Sequence, residues 1–142
     1  MNPTHIIIHH SLTRDTETVS WDAIKRYHVE TMGFDDVGYH FGIERVGEDK
    51  FVTFKGRNPY KPGAHCKQEG MNRKSIGICC VGNYDEIFPP PMMIDALVTL
   101  CRFLMAGFNI PVENIKAHRD YASYKTCPGK EFDMDALRQR LT

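Results

Sequence analysis

The sequence predicts a single α/β domain with a central mixed β-sheet flanked by helices. Three observations carry that expectation. Apolar runs of strand length alternate along the chain with stretches of helical periodicity. The 142 residues are close to the commonest size for one domain and suffice to bury a core without disulfides or a structural metal. There is no internal repeat, and the one linker-like piece, Phe88-Pro89-Pro90-Pro91, is too short to separate domains.

Thr4 to His9 holds a β-branched run, Ile6-Ile7-Ile8, that reads as a strand buried on both faces and hence central. Ser20 is a good N-cap for an amphipathic packing helix through about Met32, with Trp21, Ile24, Tyr27 or His28, and Met32 at helical spacing and Gly33 as the stop. Tyr39 to Val46 and Lys50 to Phe54 flank a turn containing Gly47 and alternate as a hairpin does. Ser75 to Val81 is a third apolar strand, interrupted by Gly77 and ended by Gly82-Asn83. From Pro91, a residue tolerated in a first helical turn, to about Phe108 runs the longest helical signal, with Met93, Leu97, Leu100, Cys101 and Leu104 on one stripe. Asn114 to Ala117 is short and strand-like, and a closing helix spans Asp133 to Leu141, capped by Asp133.

Charge and cysteine usage narrow the function classes. Lys plus Arg and Asp plus Glu stand at 18 each, so no global positive field draws the chain to nucleic acid or an anionic membrane. The apolar stretch around Ala96 to Met105 is broken by Thr99 and Arg102 and is shorter than the ~20 residues of a membrane span, so no membrane insertion is expected. No Sec-type signal is visible at the N-terminus. The five cysteines lack the paired spacings of a secreted disulfide framework, and Cys79, Cys80 and Cys101 read as small buried hydrophobes, the adjacent pair pointing to opposite faces of a strand.

Four segments place metal-ligand and acid-base groups near the ends of these elements: Ile8-His9-His10-Ser11, Val37-Gly38-Tyr39-His40, Ala117-His118-Arg119-Asp120 and Lys125-Thr126-Cys127-Pro128. One histidine from the end of the first strand, His118 and Cys127 would give a catalytic zinc three ligands and leave a fourth position open. Spacing alone does not establish such a site. There is no HExxH and no CxxC pair, and three ligands can always be chosen from seven histidines and five cysteines.

The segments Ile7-Ile8-His9-His10-Ser11, Asp36-Val37-Gly38-Tyr39-His40-Phe41, Gly63-Ala64-His65, Asn72, Ser75-Ile76-Gly77-Ile78, Val81-Gly82, Ala117-His118 and Lys125-Thr126-Cys127-Pro128 resemble, in order, the zinc N-acetylmuramoyl-L-alanine amidase family. That family includes endolysins of the bacteriophage T7 lysozyme type and animal peptidoglycan recognition proteins. The resemblance implies one catalytic Zn2+ held by His9, His118 and Cys127, with Tyr39 and Lys125 acting on substrate beside it and His65 and Asn72 in the substrate groove. It implies hydrolysis of the amide between N-acetylmuramic acid and L-alanine by a zinc-activated water. The expected partner is bacterial peptidoglycan or muropeptides, with the chain a monomer. Synthesis in the bacterial cytoplasm without a signal peptide, and action at the wall after release by a separate system, fit a phage or prophage endolysin.

Each residue has a duller reading. Of His9 and His10 only one can point into a site, because side chains alternate in extended chain; the resemblance selects His9. Tyr39 read alone is a half-buried strand aromatic, His40 a structural histidine, His5 and His28 surface or packing residues, Lys125 a solvated lysine, and Arg119 with Asp120 a local ion pair. Rival functions stay open at this point: a recognition module that binds peptidoglycan without cleaving it, a recycling enzyme for soluble muropeptides, and a structural-zinc or metal-free interaction protein. Cys127, with Lys125 and Tyr39, argues against the first, since non-hydrolysing members of the family usually lack the cysteine. Stem-peptide preference is not legible.

Overall fold

The computed structural model describes residues 1–12 and 20–142. Five strands, β1 (His5–His10), β2 (Phe41–Gly47), β3 (Lys50–Lys55), β4 (Ser75–Cys80) and β5 (Ile115–Ala117), form one sheet in the order β3-β2-β4-β1-β5. The apolar run in β1 sits near the middle, paired in parallel with β4 on one side and β5 on the other. The β2–β3 hairpin is antiparallel while β2 runs parallel to β4, so the sheet is mixed.

Alternation along the strands gives the sheet two different faces. Ile6 and Ile8 of β1, Ile76, Ile78 and Cys80 of β4, and Ile115 and Ala117 of β5 pack with α2 (Pro91–Phe108) and α3 (Met134–Leu141) in the main core. Met93, Leu97, Leu100, Cys101 and Leu104 of α2 are all buried in it; full burial of a side chain this size stabilises by about 1.5–3 kcal/mol. By length and composition α2 is apolar enough to cross a membrane, but that stripe is packed on the sheet. Asp133 caps α3 by accepting from the Ala136 N–H at 2.9 Å.

The opposite face is covered more lightly. Trp21, on α1 (Trp21–Arg26), packs against Val37 and Cys79, and Cys66 and Met71 pack against Ile7. Ser20 caps α1, its hydroxyl accepting from the Ala23 N–H at 3.1 Å. Cys79 and Cys80 thus serve opposite faces of β4 as expected.

Two expectations need correction. The packing helix through Met32 is α-helical only to Arg26 and continues as a π-helical turn, Tyr27–Thr31. That turn buries none of its residues; Tyr27 and Met32 are about half exposed, because the widened turn rotates them off the sheet and over a cleft. The second strand begins at Phe41, so Tyr39 and His40 precede it. Their backbone has other partners: Tyr39 O accepts from the Arg57 N–H and His40 N donates to Gly77 O.

Candidate active site

His9 faces the lightly covered side of the sheet, whereas its neighbour His10 faces the main core, where its Nδ1 accepts from the Tyr84 N–H at 3.1 Å. The next parallel strand delivers His118 directly after β5. The loop that follows returns Cys127 to the same place. The donor atoms of His9, His118 and Cys127 all lie within 4.8 Å of one another. The His9 and His118 rings are 4.5 Å apart, and Cys127 Sγ is 3.7 Å from His9 Nδ1. A tetrahedral zinc with ordinary Zn–N and Zn–S lengths separates such a pair by ~3.6 Å.

The electrostatics suit a cation. Burial, with smaller repulsions from neighbouring cationic groups, holds His9 well below the usual histidine range and His118 at about 4, so both imidazoles are neutral lone-pair donors at pH 7. Burial pushes the Cys127 thiol up to about 12, against the His10 N–H, 3.4 Å from its sulfur, and against Lys125 and Arg119. A divalent ion is the kind of charge that would hold that sulfur as thiolate. This donor set, two neutral imidazoles and a half-buried thiol converging in a cleft, fits zinc.

The cleft has a volume of about 710 Å³. His9, His118 and Cys127 line it with Tyr39, His65 and Lys125, and Leu12, Tyr27, Met32 and Phe34 form apolar walls. A second branch of about 500 Å³ shares His65, His118 and Lys125 and extends past Lys67, Gln68 and Asn72. The Tyr39 ring lies 5.1 Å from that of His9. Burial, then the nearby Cys79 and Cys127, raises the Tyr39 phenol well above its usual range, so it keeps its proton; it shares a side-chain hydrogen bond with Cys79. Lys125 is exposed on the rim, its ammonium 5.8 Å from the centre of the Tyr124 ring.

His65 and Asn72 have contacts that sequence reading did not anticipate. His65 lies behind His9, their rings perpendicular and 4.9 Å apart, with His65 Nδ1 2.9 Å from His9 Nε2. The Asn72 carboxamide oxygen accepts from the His65 and Cys66 N–H groups, each at 2.7 Å, which shapes the loop that presents His65. His40 is structural, its Nε2 donating to Lys61 O at 2.8 Å and its Nδ1 accepting from Gly77 N–H at 3.0 Å. His28 Nδ1 accepts from the Gly38 N–H at 2.8 Å, which fixes the backbone just before Tyr39.

Two arginines that no motif singled out as structural hold the loops in place. The Arg57 guanidinium donates to the carbonyls of Val37, Pro62 and Asp36 beside Tyr39. Arg119 donates to those of Thr126, Gly129 and Phe132 around Cys127. Among the described residues the expected Arg119–Asp120 ion pair is not seen: Asp120 accepts from the Ala117 N–H at 2.9 Å while the Arg119 guanidinium serves those carbonyls. Backbone carbonyl acceptors leave no mark in a side-chain pattern, so neither clamp had a signal in the sequence.

Comparison with known proteins identifies the family and the fold. Residues 1–130 match the family model described as N-acetylmuramoyl-L-alanine amidase. The endolysin of Enterobacteria phage T3 is 36% identical over 135 residues, covering 91% of this chain and 81% of its own. The endolysin amidase LysCS from Clostridium intestinale superposes with a TM-score of 0.85 at 29% identity, over 99% of this chain and 84% of that one. Drosophila PGRP-LB, solved as a point mutant in complex with tracheal cytotoxin, superposes with a TM-score of 0.76 at 28% identity, over 93% and 79%. The chain belongs to the N-acetylmuramoyl-L-alanine amidase family.

Proposed function

We propose that the chain hydrolyses the amide bond between N-acetylmuramic acid and L-alanine of peptidoglycan, using one zinc ion held by His9, His118 and Cys127. The observation that carries this reading is the convergence of two neutral imidazoles and one thiol in a cleft that also presents Tyr39 and Lys125. Zinc bound there supplies a Lewis acid and makes water nucleophilic near neutral pH.

The chain's own groups do the rest. Two neutral imidazoles and one thiolate leave a divalent ion a single net positive charge, so the site stays electrophilic. Tyr39 lines the cleft with its ring 5.1 Å from that of His9, and its phenol stays protonated throughout the neutral range; turned from Cys79 to substrate, its hydroxyl orients the water or the scissile carbonyl and holds a proton there. The Lys125 ammonium faces the cleft from the rim and stabilises negative charge developing on the carbonyl oxygen. Apolar walls at Leu12, Tyr27 and Met32 thin the water around that charge and strengthen both effects. The second branch, with Lys67 and Lys125 along it, accepts the acidic stem peptide.

Made in the bacterial cytoplasm and released to the wall by a separate system, a monomeric amidase of this kind acts as a phage or prophage endolysin. The relation to phage endolysins supports that placement. The test is mass analysis of purified peptidoglycan after digestion. Free L-alanine amino termini and stem-free glycan strands support the reading. Binding to the wall with no release of amines overturns it in favour of a recognition module.

A further inference from the structure

His65 is too well housed for a residue that only touches substrate. Its side chain is buried, with 9% of the residue exposed. Its ring occupies a slot walled by glycine: a Cβ at Gly77 would come within 2.5 Å of its Cγ, and one at Gly63 within 2.5 Å of its Cδ2. Neither wall tolerates a side chain while the ring is there. Asn72 holds its backbone, and the His40 ring meets it edge-on at 5.7 Å. The atom this slot delivers is Nδ1, placed 2.9 Å from His9 Nε2.

The proton count along this pair is fixed by which His9 nitrogen faces the other ligands. His9 Nδ1 is the nitrogen near Cys127 Sγ, so it offers its lone pair to a metal. A neutral His9 then carries its proton on Nε2. That N–H donates to His65 Nδ1, which leaves the His65 proton on Nε2. Among the described residues His65 Nε2 is buried and makes no hydrogen bond of normal geometry, and the ring lies against Gly77 of β4. Two imidazoles therefore run in series from the metal position toward the backbone of β4. A ligating histidine generally donates its other N–H to an outer partner that fixes its ring and tautomer. A neutral imidazole in that place adds no second negative charge beside the Cys127 thiolate, so the cation stays a strong electrophile.

We infer that His65 is the positioning residue for zinc ligation by His9, accepting the His9 Nε2 proton so that His9 Nδ1 is held toward the metal. This rests on the metal reading above and assigns His65 a role through His9 instead of through substrate.

The test combines zinc affinity, measured by competition with a chromophoric chelator, with nitrogen NMR of the histidine rings. In the zinc-loaded native protein, His9 is metallated at Nδ1 and protonated at Nε2, and His65 is protonated at Nε2 alone. His65→Phe loses roughly tenfold to a hundredfold in zinc affinity, the range typical for outer partners of metal ligands. It lowers kcat with KM within about twofold of native, and His65→Gln, which restores an acceptor, recovers part of both. Native zinc affinity in His65→Phe with a raised KM overturns the inference and returns His65 to the substrate groove. If His65→Phe does not fold, the native spectrum decides: a proton on His65 Nδ1 in the zinc form overturns it. A native protein that takes up no zinc overturns the metal reading first, which separates the two failures.

Discussion

Arg119 and Cys127 are tied backbone to backbone, the Arg119 N–H donating to Cys127 O at 2.9 Å, while the Arg119 guanidinium grips the same loop through Thr126, Gly129 and Phe132. The residue after one ligand, His118, thus sets the position of another. Asp85 completes the frame, accepting from the Thr126 hydroxyl and the Lys130 N–H. Arg119→Ala leaves three carbonyls without their donor, and a charge-assisted hydrogen bond is worth about 1.5–3 kcal/mol. Destabilisation on the order of 2 kcal/mol in a denaturant melt is expected, together with weaker zinc binding. Unchanged zinc affinity would show that the loop holds Cys127 without the clamp.

Lys125 acts on substrate and not on the fold. Its side chain is exposed, with the ammonium beside the Tyr124 ring and acting on the ligands through charge alone, so Lys125→Ala keeps the native melting temperature and a zinc affinity within a few fold of native. Removing one preorganised donor to a developing oxyanion commonly costs two to three decades of turnover, and a kcat lower by about that factor is expected. A loss below threefold contradicts the role.

Gly77 reports on the slot behind His9. Gly77→Ala puts a methyl carbon against the His65 ring, so the ring must move. The variant is expected to lower zinc affinity about as much as His65→Phe does, and combining the two changes adds less than their sum. Full additivity in chelator competition would mean that Gly77 serves the sheet and not His65.

The metal-free protein carries a pH signature. Burial lowers the folded-state values of His118 to about 4 and His65 to about 3, and holds His9 well below the ordinary 6.5. Between these values and 6.5 the unfolded chain binds more protons than the folded one, so stability rises with pH across that window. Thermal melts in chelator should show a plateau above pH 6.5 and a steady fall from there toward pH 4. A flat profile down to pH 5 contradicts neutral burial of these rings.

Much of this architecture is written locally. The isoleucine run of β1, the stripe of α2 and the caps Ser20 and Asp133 announce their elements because period and capping are short-range properties. Strand order is not local: β1 lies between β4 and β5, partners far along the chain. The π-helical turn at Tyr27–Thr31 was illegible because its side chains keep an apolar spacing while facing a cleft. At the site, motif resemblance singled out His9, His118 and Cys127, which bare spacing did not. It placed His65 in the groove, and both branches of the cleft include it, but a motif gives a residue's presence and not which of its two nitrogens meets a neighbour. Arg57 and Arg119 serve carbonyls, and carbonyls belong to every residue alike.

The most direct test of the central claim is amine release from peptidoglycan as zinc is restored to chelator-treated protein. Activity is expected to be absent without metal, to rise linearly with added zinc and to level off at a single equivalent per chain, with Cys127→Ser inactive throughout. Full activity in the chelator-treated protein, or in Cys127→Ser, would contradict the assignment of His9, His118 and Cys127 as the ligands of a catalytic zinc.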